Sequence, residues 1–230
     1  VAAALLIGIG ISYLNSSQIY STSAGQMQTI TLADKSQVHI NAESELKVPH
    51  YFGWFSRSVE LEGEAYFEVE TNGQPFNVQT PNATVEVLGT SFNVRTRPVR
   101  QQYKTTVSVV EGSVSLQLID RSEQITLDKN KSASVFNRSL KTEQMDTQQA
   151  AAWKSGDINF YDQSLPSIFS EIERRFNVAI EYPKEELYSL RLNAFYSDPQ
   201  SAENIIQDIC LAKGLKYRPT NNGFEIYKDK

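Results

Sequence analysis

A run of acidic residues is the first feature of this sequence that could do chemistry. Between residues 59 and 70, acidic side chains occupy almost every second position, namely Glu60, Glu62, Glu64, Glu68 and Glu70. On one face of a strand such neighbours lie about 6.8 Å apart, within the range of the carboxylate pairs that hydrolyse glycosides. Apolar residues fill the alternate positions, as in a strand with one solvated face. No sequence nearby has the pattern of an apolar pocket that would raise the pKa of one carboxyl. We therefore expect solvated carboxylates rather than a catalytic pair.

Histidine and cysteine, which carry much of enzyme catalysis and metal binding, are scarce. The 230 residues contain two histidines, His39 and His50, and one cysteine, Cys210. A single cysteine excludes an internal disulfide and a zinc site built from thiolates. We expect Cys210 to pack as a small apolar side chain on a helix. The sequence therefore predicts a protein that is not an enzyme and that needs neither a metal ion nor a cofactor.

The overall composition is that of a globular, slightly acidic protein. Hydrophobic residues make up 40% of the chain, and 22 Lys+Arg against 27 Asp+Glu give a net charge of −5. Such a balance offers no basic surface for phosphate backbones, so we expect no nucleic-acid binding.

The N-terminus begins with an uncharged apolar run over residues 1–14. As a helix this run would rise about 21 Å, which is less than the ~30 Å of a bilayer core. A buried core helix and the apolar part of a signal peptide are alternatives. Tyr13 near the end of the run, as in an aromatic belt, favours part of a transmembrane span. We predict a partial transmembrane helix at residues 1–14 and a polar tether at residues 15–24.

Residues 25–140 have the pattern of an all-β domain. Short apolar-alternating segments follow one another at about ten-residue spacing, with no helical period between them. Three glycines, Gly63, Gly89 and Gly112, interrupt strand patterns as at bulges or corners. This arrangement predicts a roll, a sandwich or a solenoid-like stack. In the aromatic stretch at residues 50–55 we expect Phe52 and Phe55 to pack in the core, an exposed recognition loop being the alternative.

After Lys141 the apolar period changes from two to that of helices. We predict a linker at residues 141–156 and a small α+β domain at residues 157–230. Two strand–helix–strand units follow each other, and Ile168 corresponds to Ile205 at an offset of 37 residues. This repeat predicts a βαββαβ domain, one sheet with two helices on one face.

Several ordered motifs resemble the FecR-type sigma-regulator family, whose members are anti-sigma factors. The segment GEAYFEV at residues 63–69 is followed by PFNV at 75–78 and VLGTSFNV at 87–94. The shorter motifs are LADKSQV at residues 32–38, NAES at 41–44 and VEGSV at 110–114. One departure is Lys35, where the family usually has glycine after Asp34. The resemblance extends from about residue 25 to the end, and residues 157–230 resemble the short N-terminal domain of secretins and TonB-dependent transducers.

The resemblance implies structural roles for seven motif residues: Gly63, Glu64, Phe67, Gly89, Thr90, Phe92 and Gly112. Glu64 is next to a corner glycine, so we expect its carboxylate to make a hydrogen bond that fixes the corner. No catalytic, metal-binding or cofactor-binding residue is implied.

The resemblance also implies a location and partners. Such proteins cross the inner membrane once and bind an extracytoplasmic-function sigma factor through a cytoplasmic segment, which these 230 residues lack. Their periplasmic part receives a signal from the N-terminal signalling domain of an outer-membrane TonB-dependent transporter. We expect that contact at a sheet edge of the small domain, formed by Lys216, Tyr217, Arg218, Glu225, Ile226 and Tyr227.

Two other functions remain open on the residues. The β region could belong to a carbohydrate-binding or glycan-active protein of the cell envelope. The C-terminal half alone would also fit a secretin- or transporter-like assembly module.

Overall fold

The structure is a computed structural model that describes residues 16–99, 101–143 and 147–228. The chain divides into two compact units. Unit 1 takes the residues up to Thr22 and Met27–Ala151, and unit 2 takes Ser23–Gln26 with the residues from Ala152 onward. Unit 1 is built from strands and one four-residue helix, and unit 2 from strands and helices, so the predicted fold class, mostly β followed by a small α+β region, is confirmed.

Unit 1 contains a sheet of 13 strands within the described residues. The strands are β1 (Ser17–Thr22), β2 (Gln28–Thr31), β3 (Gln37–Ile40), β4 (Ser44–Pro49), β5 (Arg57–Glu68), β6 (Phe76–Gln79), β7 (Ala83–Val87), β8 (Ser91–Val99), β9 (Gln102–Glu111), β10 (Ser113–Leu118), β11 (Gln124–Asp128), β12 (Ser132–Phe136) and β13 (Ser139–Glu143).

The sheet has two branches that share the long strand β5. The first branch runs β1-β4-β5-β6-β7-β10-β11, and the second runs β2-β3-β5-β8-β9-β12-β13. Residues 57–62 of β5 pair with β4 and β6, whereas residues 63–68 pair with β3 and β8. The change of partners falls at Gly63, one of the three glycines predicted to mark corners.

Both branches contribute to one hydrophobic core. Val59 and Leu61 enter it from the first half of β5, and Phe67 enters it from the second half. The sheet is nearly closed around this core, and in the described residues its strand order ends at β1, β2, β11 and β13.

Regular structure is present within the residues predicted as a tether and within those predicted as a linker. Residues 15–24 include β1, which pairs with β4 from Ser17↔Pro49 to Thr22↔Ser44, and its Tyr20 packs against the core. Residues 141–156 contain the end of β13, helix α1 (Thr147–Ala150) and a 3-10 turn at Ala152–Ser155. Pairing to a neighbouring strand uses backbone groups, so a segment of polar composition such as β1 can join a sheet.

Unit 2 combines helices with two small sheets. Its elements are β14 (Ile158–Ser164), α2 (Leu165–Phe176), β15 (Ala179–Glu181), α3 (Lys184–Leu187), β16 (Arg191–Tyr196), α4 (Ala202–Lys213), β17 (Leu215–Pro219) and β18 (Gly223–Lys228). Strand β14 pairs with β16, and a separate sheet has the order β15-β18-β17.

The prediction of a single sheet in this region is wrong. Pro183 follows β15 closely, and helix α3 separates β15 from β16, so the two strands do not form a hairpin. The predicted helices are present, with Pro166 in the first turn of α2 and Gly214 in the left-handed conformation after α4. Their apolar faces enclose a second core that includes Ile168, Ile205 and Cys210.

None of the helices within the described ranges is long and apolar enough to cross a bilayer. The predicted partial span at residues 1–14 lies outside the described residues.

Candidate functional site

The corner of β5 is formed by Gly63 and by Ser44, the first residue of β4. Gly63 has φ +107°, and a Cβ atom there would lie 2.4 Å from Ser44 Oγ, so only glycine fits. The Ser44 hydroxyl takes the space that a side chain would need, and it accepts a hydrogen bond from the Glu64 backbone N–H at 2.9 Å. The glycine therefore permits a close approach that the next residue stabilises.

The Glu64 carboxylate is a buried acceptor for two asparagine side chains. Asn41 Nδ2 donates to Oε2 at 3.0 Å, and Asn93 Nδ2 donates to Oε1 at 2.9 Å, while the residue is only 4% exposed. The Asn41 backbone N–H also donates to the Glu64 carbonyl. These bonds connect β5 to the end of β3 and to β8. Glu64 thus differs from the exposed Glu60 and Glu62, because the two asparagines cover it.

The remaining motif residues lie nearer the C-terminal end of β5, where Glu68 pairs with Ser91 and the Val69 N–H donates to the Thr90 carbonyl. A Cβ on Gly89 would lie 1.8 Å from Thr71 Oγ1, and one on Gly112, at φ +86°, would lie 2.8 Å from Thr90 Oγ1. Thr90 donates from Oγ1 to the Ser113 carbonyl at 2.9 Å. In the core, the rings of Phe67 and Phe92 are stacked with centroids 5.2 Å apart. Motif glycines thus admit close contacts, and motif aromatics fill the interior.

A buried arginine that the sequence analysis missed joins two loops of unit 1. Arg57 Nε donates to Asp34 Oδ2 at 2.7 Å, and its terminal nitrogens donate to Asn72 Oδ1 and to the carbonyls of Glu70 and Gln74 at 2.7–2.8 Å. Its guanidinium also lies 5.4 Å from the Phe76 ring centroid. The signal was present in the sequence, since Arg57 has the same parity as Val59 and Leu61 and therefore shares their core face.

The Asp34 turn has a related feature at the position where the sequence departs from the family pattern. Lys35 adopts φ +74°, the left-handed conformation that glycine takes at no steric cost. Asp34 holds the turn by accepting from both the Ser36 N–H and the Ser36 hydroxyl at 2.9 Å. The turn therefore keeps its shape without glycine.

The exposed part of the carboxylate run lines a shallow pocket of about 240 Å³. Glu60 and Glu62 face it together with Glu45 and Lys47, whose charged groups are 3.5 Å apart. The expectation of solvated carboxylates is confirmed for Glu60 and Glu62, which are exposed. Within the described ranges, no group of three His, Cys, Asp or Glu side chains could hold a metal ion.

The partner-binding candidates lie on β17 and β18 of unit 2. Lys216 pairs across the strands with Tyr227, and Arg218 pairs with Glu225, which places these four side chains on one face. Arg218 donates from Nε to Glu225 Oε2 at 2.7 Å, and this contact raises the Arg218 pKa. The face is thus a polar surface with one ordered ion pair.

The two strands differ in what they offer a partner. In the described part of the sheet, β17 is an edge strand, whereas β18 lies between β15 and β17. Ile226 on β18 is 1% exposed and belongs to the core, so it cannot contact a partner directly. Tyr217 on β17 is half-buried, and its hydroxyl donates to Glu203 Oε1 at 3.2 Å. Desolvation and the Glu203 carboxylate raise the Tyr217 pKa. The available edge is therefore β17.

Comparisons with known proteins agree with the motifs. A family model described as FecR protein matches residues 18–115, and one described as FecR, C-terminal matches residues 157–227. Two crystal structures of a proposed anti-sigma factor from Parabacteroides distasonis are 28% identical to this chain with TM-scores of 0.84. The matches cover 94% and 93% of this chain and 100% of each of those chains. No curated protein matches the chain.

Proposed function

Because the chain belongs to the FecR family, whose members are not enzymes, we propose that it is the periplasmic sensory region of a single-pass inner-membrane anti-sigma factor. In this role it receives a signal from the N-terminal signalling domain of an outer-membrane TonB-dependent transporter. It passes the signal to an extracytoplasmic-function sigma factor through a cytoplasmic segment outside these 230 residues.

The observation that carries this proposal is the similarity over both units. The two family models match residues 18–115 of the β unit and residues 157–227 of the α+β unit, and the crystallised chain of the Parabacteroides distasonis protein aligns over its whole length. The residues add support of a different kind. Glu64, the motif carboxylate beside the corner, accepts one hydrogen bond from each of two asparagine side chains. Its contact is therefore structural, as expected of a binding protein rather than a hydrolase.

The edge strand β17 is the proposed contact with the transporter. An added strand gains much of its affinity from main-chain hydrogen bonds, and β17 offers one unpaired side of its backbone in the described sheet. The cross-strand pairs Lys216↔Tyr227 and Arg218↔Glu225 would flank the added strand with polar side chains.

Calorimetric titration of the chain with the signalling domain of the transporter encoded beside it tests the proposal. We expect measurable binding. Tyr217→Pro should weaken it more than Tyr217→Ala, because both variants lose the ring but only proline removes a backbone N–H. Lys216→Ala should change the affinity little.

Circular dichroism shows whether each variant remains folded. No heat of binding at about 100 μM of two folded partners, where micromolar complexes would form, would contradict the transporter as partner. Equal binding by folded Tyr217→Pro and Tyr217→Ala variants would reject β17 as the docking edge and leave the partner in place.

A further inference from the structure

The loop between β4 and β5 in unit 1 exposes two large aromatic side chains. Trp54 is 71% exposed and Phe55 is 77% exposed, so the expectation that Phe55 packs in the core is wrong. Phe52 does reach the core, where its ring lies 5.8 Å from that of Phe76. Adjacent exposed aromatic rings are an unfavourable surface in water, and such patches mark interaction sites.

The exposure is not the result of a loose loop. The Phe52 N–H donates to the Pro49 carbonyl at 2.9 Å, and the Trp54 N–H donates to the Tyr51 carbonyl at 3.1 Å. The Gly53 N–H donates to the Ser56 carbonyl at 2.8 Å, which closes the loop onto the start of β5. Phe52 anchors the loop in the core, and the side chains of Trp54 and Phe55 are exposed to solvent.

The loop lies beside the point where the chain enters unit 1. The His50 N–H donates to the Ser16 carbonyl at 3.1 Å, and the Ser16 hydroxyl is 3.1 Å from His50 Nδ1. Asn15 alone separates Ser16 from Leu14, the last residue of the uncharged apolar run. From Leu14 to Ser16 the chain can span at most about 7 Å, and from His50 to Trp54 at most about 14 Å.

We propose that Trp54 and Phe55 insert into the lipid interface of the membrane that holds residues 1–14, as a second contact between unit 1 and the bilayer. The inference rests on the proposed membrane anchoring. Headgroup regions are about 5–8 Å thick on each side of the hydrocarbon, so a loop hydrogen-bonded to Ser16 has the reach to enter them. Tryptophan is enriched at this depth because its ring is apolar while its N–H stays solvated.

Tryptophan fluorescence gives a direct test, because the chain has only Trp54 and Trp153. In the Trp153→Phe variant, Trp54 is the only tryptophan. The full 230-residue chain is reconstituted into vesicles of phosphatidylcholine and phosphatidylglycerol, with and without acyl chains brominated near the headgroup. We expect a blue-shifted emission that brominated lipid quenches at least about two-fold, as for rings of the interfacial belt.

The matched control is Trp54→Phe, which leaves the buried Trp153, and its emission should not respond to brominated lipid. If Trp153→Phe fails to fold, the difference between the wild-type and Trp54→Phe emission gives the same readout. A chain that floats with the vesicles while Trp54 remains unquenched and open to aqueous acrylamide overturns this inference alone. A chain that does not float with the vesicles overturns both it and the proposed anchoring. A Trp54 that brominated lipid does not quench and that aqueous acrylamide does not reach would place the loop against protein and overturn the lipid contact.

Discussion

The Arg57 guanidinium and the Asp34 carboxylate form an ion pair at 2.7 Å in which the two side chains are only 1% and 3% exposed. Two ions so thoroughly removed from water are stable only when the remaining donors and acceptors are bonded. Here the guanidinium also donates to the carbonyls of Glu70 and Gln74, and the carboxylate accepts from Ser36. The pair therefore fixes the Asp34 turn relative to the loop that contains Glu70 and Gln74.

Replacing Arg57 with methionine should destabilise unit 1 strongly. The variant leaves Asp34 buried without a counter-charge and leaves two carbonyls without donors, and breaking a buried pair costs about 3–5 kcal/mol. Urea unfolding followed by circular dichroism measures the free energy of unfolding. The matched control is Arg138→Met, because Arg138 pairs with Asp120 at 2.6 Å but is 84% exposed. That variant should lose less than about 1 kcal/mol, and equal losses in the two variants would contradict the prediction.

Glu64→Gln should destabilise the corner without changing its volume. One carboxylate oxygen becomes an NH₂ group that faces the amide of Asn41 or Asn93, so a donor meets a donor in a buried place. The expected loss is about 1–3 kcal/mol of unfolding free energy. Glu62→Gln, on the same strand but exposed, should stay within about 0.5 kcal/mol of wild type. A Glu64→Gln variant as stable as Glu62→Gln would show that the carboxylate charge is not needed for the corner.

Gly63→Ala and Gly73→Ala separate steric exclusion from backbone strain. Both glycines have positive φ, +107° and +82°, but a Cβ meets Ser44 Oγ at 2.4 Å only at Gly63, whereas nothing lies within 4 Å at Gly73. We expect a loss of about 1–3 kcal/mol for Gly73→Ala from strain and at least about 2 kcal/mol more for Gly63→Ala from the displaced strand. The two variants are compared in the same unfolding experiment. Equal losses would mean that the corner accommodates a methyl group with no further loss of unfolding free energy.

Cys210 should react slowly with thiol reagents in the folded protein. Burial raises its pKa from 9.0 to about 11, so at pH 8 the thiolate fraction is about 100-fold lower than for the unshifted thiol. Labelling with iodoacetamide at pH 8, before and after unfolding in urea, measures the ratio. The folded rate should be lower by at least this factor.

The same shift makes stability depend on pH at the alkaline end. Because the folded pKa of Cys210 is above the unfolded one, the unfolded chain gives up its proton first, and this contribution to stability is lost as the pH rises from about 9 towards 11. Cys210→Ala should remove that part of the pH dependence. Fast labelling of the folded protein at pH 8 would instead place the thiol in contact with solvent.

Local patterns predicted helix ends and a strand corner well, because proline and glycine each have a strong backbone preference. Pro166 and Gly214 mark the start of α2 and the end of α4, and the corner at Gly63 follows from a glycine inside an alternating strand. The carboxylate of Glu64 was expected at the corner, but its burial was not, because the covering residues Asn41 and Asn93 come from strands far away in the sequence.

Pairing between distant segments could not be predicted in the same way. The side chains of β1 are mostly polar, and the strand still pairs with β4. In unit 2, the division into two sheets depends on helix α3, which begins directly after Pro183. Phe55 shows a further limit, since composition predicts that an aromatic residue is buried, whereas of these two phenylalanines Phe52 is in the core and Phe55 is exposed. Arg57 was predictable from parity alone.

The pairing of β1 with β4 connects the start of unit 1 to its shared strand β5. Six residues of β1 are held by β4, which itself pairs with β5, the strand common to both branches. If residues 1–14 cross the bilayer, a pull on that segment reaches Ser17 after only two intervening residues and is transmitted through β4 to β5. A longer unpaired segment would absorb such a displacement by extending. Displacements of the anchor along the chain should therefore reach the strand that both branches share.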